Sequence, residues 1–238
     1  MESILEVTNL SKFYGTKKVV NKLLFQIKEG EVLGLLGANG AGKTTSIECI
    51  LGTKKMDEGK ALILGLEPKK NRKEVFEKVS VQFQDGSYQT EIKVKELCEE
   101  TESLYKDTAN WKELLAQFEI DDKQESLVKD LSGGERQRLF IVLALISKPK
   151  LVFLDELTTG LDSRARRNVW KILEKLKKEG LTIVLTSHFM DEVEALCDKI
   201  IILKKGNTVF QGTVKEALEM SKCEKFEDAY LWFTDDNE

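Results

Sequence analysis

Apolar and polar positions along this chain switch period at a few places, and those switches mark out the elements. Ile4, Leu5 and Val7, then Val19-Val20 and Leu23 to Ile27, sit in brief alternations that predict short strands, with Lys28-Glu29-Gly30-Glu31 as the following turn. Val32 to Leu36 and Leu151 to Leu154 are instead apolar without polar interruption, and Thr182 to Ser187 reads as a further buried strand. Such runs are the mark of strands buried on both faces of a parallel sheet. Ala61 to Gly65, Val79 to Gln84, Ile200 to Leu203 and Thr208 to Phe210 complete the strands. The last two bracket Lys204 to Asn207 as a hairpin, and Val79 to Gln84 ends on the turn signal Asp85-Gly86.

Helical spacing fills the intervals. Short helices are predicted from Ser46 and over Lys69 to Lys78. Between Lys93 and Leu115 the pattern turns helical, with Val94, Leu97, Cys98, Thr101 and Leu104 on one stripe and Trp111, Leu114, Leu115 and Phe118 on another. Glu119 to Lys129 is polar and carries little signal. A helical run follows Ser132 and is stopped by Pro149; others cover Ser163 to Lys178, Met190 to Cys197, Thr213 to Met220 and Phe226 to Phe233. Tyr230, Trp232 and Phe233 are expected to pack the last helix onto the domain. Buried strands alternating with helices predict an α/β fold.

Composition narrows the partners. The chain has 238 residues, 41% of them hydrophobic, enough for one substantial core. With 37 basic against 41 acidic residues, it has no sequence-wide basic field, so no nucleic-acid partner is expected. The 4 cysteines, Cys49, Cys98, Cys197 and Cys223, form no CxxC pair and read as small core residues in a reducing compartment. The start, MESILEVTNL, lacks a basic segment followed by an apolar one, which argues against secretion. The longest apolar run, Leu139 to Ile146, falls short of the ~20 residues that cross a bilayer, so membrane work would need another chain to do the crossing.

Chemistry concentrates at the segment GANGAGKTT, Gly37 to Thr45, which fits the phosphate-loop pattern between a buried strand and a helix. A ring of backbone N–H groups opening onto a helix N-terminus holds a triphosphate without a dedicated cationic cage. Gly37, Gly40 and Gly42 permit positive φ and close approach, Lys43 supplies a point charge, and the Thr44 hydroxyl suits magnesium. Leu131-Ser132-Gly133-Gly134-Glu135 opens a second helix in the same way, with Ser132 as N-cap. One chain thus carries two unlike anion-binding helix starts.

Carboxylates and a histidine fall at strand ends, where open α/β sheets bind ligands. Asp155 is suited to magnesium, and Glu156 to orienting and deprotonating a water that attacks the γ-phosphate. His188, the only histidine, ends the strand at Thr182 to Ser187 and is placed to donate to a γ-phosphate oxygen. Gln84, at its strand tip, is placed to reach magnesium or the attacking water. Tyr14, near a turn, is the candidate for stacking on adenine.

Taken together, these residues resemble the nucleotide-binding domain of ABC transporters along the whole chain. The signature LSGGE stands at 131–135, the Walker B segment LVFLDE at 151–156, and His188 matches the switch histidine. Gln84 matches the Q-loop glutamine, Asp162 the D-loop aspartate and Tyr14 the adenine-stacking aromatic. The resemblance implies a P-loop NTPase (RecA-like) α/β core with an antiparallel β subdomain and an ABC-specific α-helical subdomain. It implies one domain over 1–238, with 1–84 and 150–238 forming the core and β subdomain and about 85–149 the helical signature subdomain.

The resemblance also fills in the ligand set. ATP would be held by Tyr14, by Gly37, Ala38, Asn39, Gly40, Ala41, Gly42, Lys43, Thr44 and Thr45, and from a second subunit by Ser132, Gly133, Gly134, Glu135 and Asp162. Mg2+ would be held by Thr44, Gln84 and Asp155, while Glu156, His188, Gln84 and Lys43 carry the chemistry. Partners would be a second ATPase subunit, identical or a paralogue, and a separate membrane-spanning permease that holds the protein at the inner face of the cell membrane. Residues 187–206 look like the branch that includes drug, antibiotic and polysaccharide exporters. The alternative is a non-transport ABC ATPase of an assembly or division-type complex. One departure is Leu157, where most relatives carry proline; without that ring the path to Asp162 is expected to be less rigid.

Overall fold

The computed structural model describes residues 3–82 and 91–235, so Gln84 and the Asp85-Gly86 turn lie outside the described residues. β1 (Ser3–Tyr14) and β2 (Lys17–Lys28) are 12 residues each, longer than the short strands their alternation predicts. Register shifts between Val7 and Leu10 and again before Lys12 break the period without ending the strand. β3 (Val32–Gly37) leads through the glycine loop into α1 (Lys43–Ile50). β4 (Glu58–Ile63) returns antiparallel to β1, closing a 3-stranded sheet of order β2-β1-β4.

α2 (Arg72–Phe76) precedes β5 (Val79–Gln82). The segment predicted to be helical between Lys93 and Leu115 is two helices, α3 (Val94–Ser103) and α4 (Trp111–Gln117). At the break the Ala109 N–H bonds to the distant Ile146 O at 2.8 Å, and Asn110 caps α4 by accepting from the Lys112 N–H. Leu104, read as part of the apolar stripe, is 74% exposed. The low-signal stretch after it folds as two 3-10 turns, Asp121–Lys123 and Val128–Asp130. α5 (Gly133–Ile146) follows, then β6 (Leu151–Asp155), α6 (Ser163–Lys178), β7 (Thr182–Thr186) and α7 (Met190–Leu196). β8 (Lys199–Lys204) and β9 (Asn207–Gly212) form the expected hairpin, and α8 (Val214–Ser221) and α9 (Phe226–Thr234) complete the described chain.

The second sheet has 6 strands in the order β5-β6-β7-β3-β8-β9, parallel except for β9. Its strands alternate between two apolar layers, as a two-residue period requires. Leu33, Leu35, Leu151, Phe153, Val184, Ile201 and Leu203 face the layer shared with α1 and the antiparallel sheet. Val32, Val152, Leu154, Ile183 and Leu185 face the layer built from α3 to α6. Ile200 and Ile202 join Leu36 in a third cluster under α7 to α9. There Phe233 packs on Phe210 with ring centroids 4.7 Å apart, whereas Trp232, expected to pack beside it, is 46% exposed. Among the described residues no helix is long and apolar enough to cross a membrane.

Candidate functional site

β3 ends on Gly37, and the loop to α1 is held so close to its neighbours that side chains are excluded at both ends. A Cβ on Gly37 (φ 149°) would lie 2.5 Å from Leu203 O, and one on Gly42 (φ 108°) 2.5 Å from Val19 O. Only glycine fits there. Gly42 serves as N-cap of α1 and offers no side-chain acceptor, leaving the first-turn N–H groups facing the loop. Lys43 is buried, and its Nζ donates to Gly37 O at 2.7 Å and to Ala38 O at 3.4 Å. Burial holds its ammonium below the usual lysine range, with Asp155 and Glu156 pulling the other way. Thr44 is exposed and Thr45 half-buried at the start of the helix.

The acids reach the same place from β6. Parallel pairing sets Asp155 beside Thr186 of β7, and the Thr186 hydroxyl donates to Asp155 Oδ1 while accepting the Glu156 N–H at 3.0 Å. One hydroxyl thus ties both acids to the neighbouring strand. Burial raises the Asp155 carboxyl above its ordinary value; the Thr186 hydrogen bond opposes this, Glu156 adds to it and Lys43 opposes it. Glu156 has φ 52°, an uncommon conformation for a residue with a side chain and one that concentrates at functional sites. His188 Nε2 stands 2.9 Å from Glu156 Oε1. Lys43, Asp155, Glu156 and His188 therefore converge at the carboxyl end of the parallel strands.

Two contributors escaped the sequence reading. Thr186 looked like one more residue of a buried strand, and only the register shows that it faces Asp155. Gln137 reaches from α5 to donate to Leu157 O at 2.8 Å and Glu156 O at 3.3 Å. Leu157 itself is fully buried in the layer formed by α3 to α6. Backbone bonds from Thr159 N to Glu156 O and from Leu161 N to Thr158 O hold the same turn, so the loop without proline has other anchors. A proline at 157 would also have restricted the backbone of Glu156.

The second helix start is assembled separately. Ser132 and Glu135 form a capping box: the Ser132 N–H and Oγ donate to Glu135 Oε2 at 2.8 and 2.7 Å, and the Glu135 N–H donates to Ser132 Oγ at 3.3 Å. Gly133 has open space where a Cβ would be, whereas a Cβ on Gly134 would lie 3.4 Å from Gly160 O. This places the start of α5 against the turn that carries Asp162. Asp162 caps α6 by accepting from the Arg164 and Ala165 N–H groups, and those bonds, Ala165 first, hold its carboxyl below the usual range. Tyr14 ends β1, 46% exposed, with the Lys12 and Lys54 ammoniums 5.5 and 5.9 Å from its ring centre.

The profile of the ABC transporter family matches residues 20–159. The chain is 36% identical over 229 residues to Nod factor export ATP-binding protein I of Rhizobium etli, spanning 94% of this chain and 72% of that protein. It is 34% identical over 220 residues to the protein of the same name from Burkholderia orbicola, spanning 90% of this chain and 72% of that one. Among solved structures, an ATP binding subunit of an ABC transporter superposes with a TM-score of 0.89 at 26% identity, covering 98% of this chain and 100% of that one.

Proposed function

This chain belongs to the ABC transporter family, and on that premise we propose how its residues convert ATP hydrolysis into movement of a membrane partner. It is the ATP-hydrolysing subunit of an export-type transporter. The observation that carries the mechanism is the meeting of Lys43 with Asp155, Glu156 and His188 at one sheet edge.

The N–H groups from Gly37 to Thr45 and the Lys43 ammonium hold the β- and γ-phosphates, and Tyr14 lies under the adenine. Thr44 and Asp155 offer the oxygen donors that magnesium prefers, a dication that keeps much of its coordination for water and phosphate. Buried against Lys43, with its carboxyl raised by burial, Asp155 gains from such a charge. A magnesium ion held by them would supply electrostatic stabilisation of the charge developing on the phosphates. Glu156 takes the proton of a water whose oxygen attacks the γ-phosphorus; the bond to the bridging oxygen breaks, giving ADP and phosphate. His188, held on Glu156 in this structure, turns one donor toward a γ-phosphate oxygen.

A second copy or a paralogue supplies Ser132, Gly134 and Asp162 across a two-fold interface, so that each ATP is capped by the other subunit. Hydrolysis removes the γ-phosphate contacts and the pair opens. A groove of about 400 Å³ between β5, α3 and α5, lined by Arg72, Phe76, Thr101, Tyr105, Phe140 and Leu143, is the surface offered to the membrane-spanning subunit. The protein thereby sits at the inner face of the membrane through that partner.

Glu156→Gln tests the reading. It should leave ATP binding intact, lower kcat by about 10²–10⁴-fold as expected for a lost general base, and let an ATP-bound dimer accumulate. Size-exclusion chromatography in magnesium-ATP that shows only monomer, or a kcat within threefold of the wild type, overturns it.

A further inference from the structure

Directly behind the reactive pair lies a carboxyl that the mechanism above leaves unused. Glu192, on α7, is 0% exposed. Its Oε1 accepts the Trp170 indole N–H from α6 at 3.0 Å. The Ser187 and Thr158 hydroxyls face the same carboxyl. Ser187 immediately precedes His188, and Thr158 follows Glu156 by two positions. Glu192 Oε2 and Thr158 Oγ1 are nevertheless buried without a hydrogen-bond partner of normal geometry. Around them, Arg166 of α6 stacks on Phe189 at 4.0 Å and pairs with Asp191 at 3.3 Å rather than with Glu192.

A buried acid is a costly way to fill space that a leucine would fill without burying polar atoms. Its placement gives it another use. The two catalytic side chains are carried by turns remote in sequence, and between those turns stands one carboxyl fixed to a third element by Trp170. We propose that Glu192 is a positioning residue for hydrolysis: anchored to α6, it spans the turn after Glu156 and the turn before His188, and so sets the spacing of that pair. Burial raises its carboxyl above the ordinary range, while Ser187, Trp170 and Thr158, all possible donors to it, oppose that rise, so one group faces the two turns and α6 at once. Glutamine preserves that pattern, whereas leucine fills the volume and removes it.

The inference rests on the roles given above to Glu156 and His188. Its test uses the purified full chain in magnesium-ATP. Glu192→Leu should lower kcat about tenfold with KM for ATP within about twofold, the signature of lost alignment rather than lost binding. Glu192→Gln should recover most of the rate, and the melting temperature of the leucine variant should not fall in parallel with kcat. Because the chain has 1 histidine, the ring resonance of His188 is an unambiguous reporter, and it should move in Glu192→Leu and return in Glu192→Gln. In a His188→Ala background, measured by single turnover, Glu192→Leu should change the rate less than about twofold, since residues acting through one another are not additive. Should the leucine variant not fold, Trp170→Phe, which removes the indole N–H but keeps an aromatic ring, carries the same expectations. An unchanged kcat in the folded variants, or the full tenfold loss repeated in the His188→Ala background, overturns the proposal. If His188→Ala alone leaves kcat unchanged, the reading of the active site fails, and with it the proposal that Glu192 sets the spacing of that pair.

Discussion

The starts of α1 and α5 are built from the same ingredients, glycines at a helix N-terminus, and are finished in opposite ways. Gly42 begins α1 with no side-chain cap and no acid in the first turn, and Lys43 is buried beside it. Ser132 begins α5 with its hydroxyl and its N–H both given to Glu135, an acid placed on the positive end of its own helix. Both helix dipoles favour an anion. Only the first is left to find it elsewhere. On the proposed two-subunit site, the difference predicts that the loop half binds ATP in the lone subunit by exchanging only the Lys43 bonds to Gly37 O and Ala38 O, whereas the Ser132 half is occupied by its own Glu135. It must exchange bonds worth about 1 kcal/mol each, net, before it meets a phosphate. The proposed mechanism then predicts that ATP binding is a property of one subunit and that closure over it is a separate step.

Lys43→Ala breaks the stronger half and should have the larger effect. The loss of charge-assisted hydrogen bonds, each worth about 1.5–3 kcal/mol, predicts at least about a hundredfold weaker ATP binding. Isothermal calorimetry on the isolated chain checks it, and an unchanged Kd removes Lys43 from the site. Ser132→Ala breaks the other half and should do so selectively. ATP affinity of the monomer should stay within twofold, while dimerisation in magnesium-ATP by a Glu156→Gln background weakens about tenfold. The lost N-cap, about 1 kcal/mol, should also lower Tm by roughly 2–4 °C in a domain of this size. A parallel loss of monomer ATP affinity would place Ser132 in its own subunit's site and erase the contrast.

How far these features could be read in advance depended on whether their cause was local. The glycine loop was legible because every constraint on it, from strand end to Lys43, lies within one stretch of chain. β3 and β6 were legible because burial on both faces leaves an unbroken apolar run. The break between α3 and α4 was not, since Leu104 continued the stripe and the bond that ends it comes from Ile146. Thr186, Gln137 and Glu192 were missed for the same reason. Each acquires its role from a neighbour brought close by strand register or helix packing, and hydroxyls and carboxamides carry no period of their own. Trp232 erred in the other direction: an apolar residue on an amphipathic helix proved half exposed beside the buried Phe233.

The smallest effect falls on Glu135, whose charge is what makes the two helix starts differ. Hydrogen bonds from the Ser132 hydroxyl and N–H, with Lys123 adding to them, hold its carboxyl below the ordinary value of 4.5. A lowered acid contributes stability that is present above its unfolded-state value and is lost as pH falls through the folded one. The wild type should therefore melt at a higher temperature than Glu135→Gln at neutral pH, with the gap closing as the pH drops below the ordinary carboxylate range. Glutamine can still complete a capping box, so the difference reports the charge alone. The same substitution makes α5 resemble α1 by removing the anion that competes with a phosphate. It should tighten ATP-dependent dimerisation in a Glu156→Gln background about twofold at low salt, an effect that fades as salt screens the half-buried carboxylate. Dimerisation weakened by Glu135→Gln would mean instead that the carboxylate contacts the partner's nucleotide directly, and that the second helix start is as fully prepared for its ligand as the first.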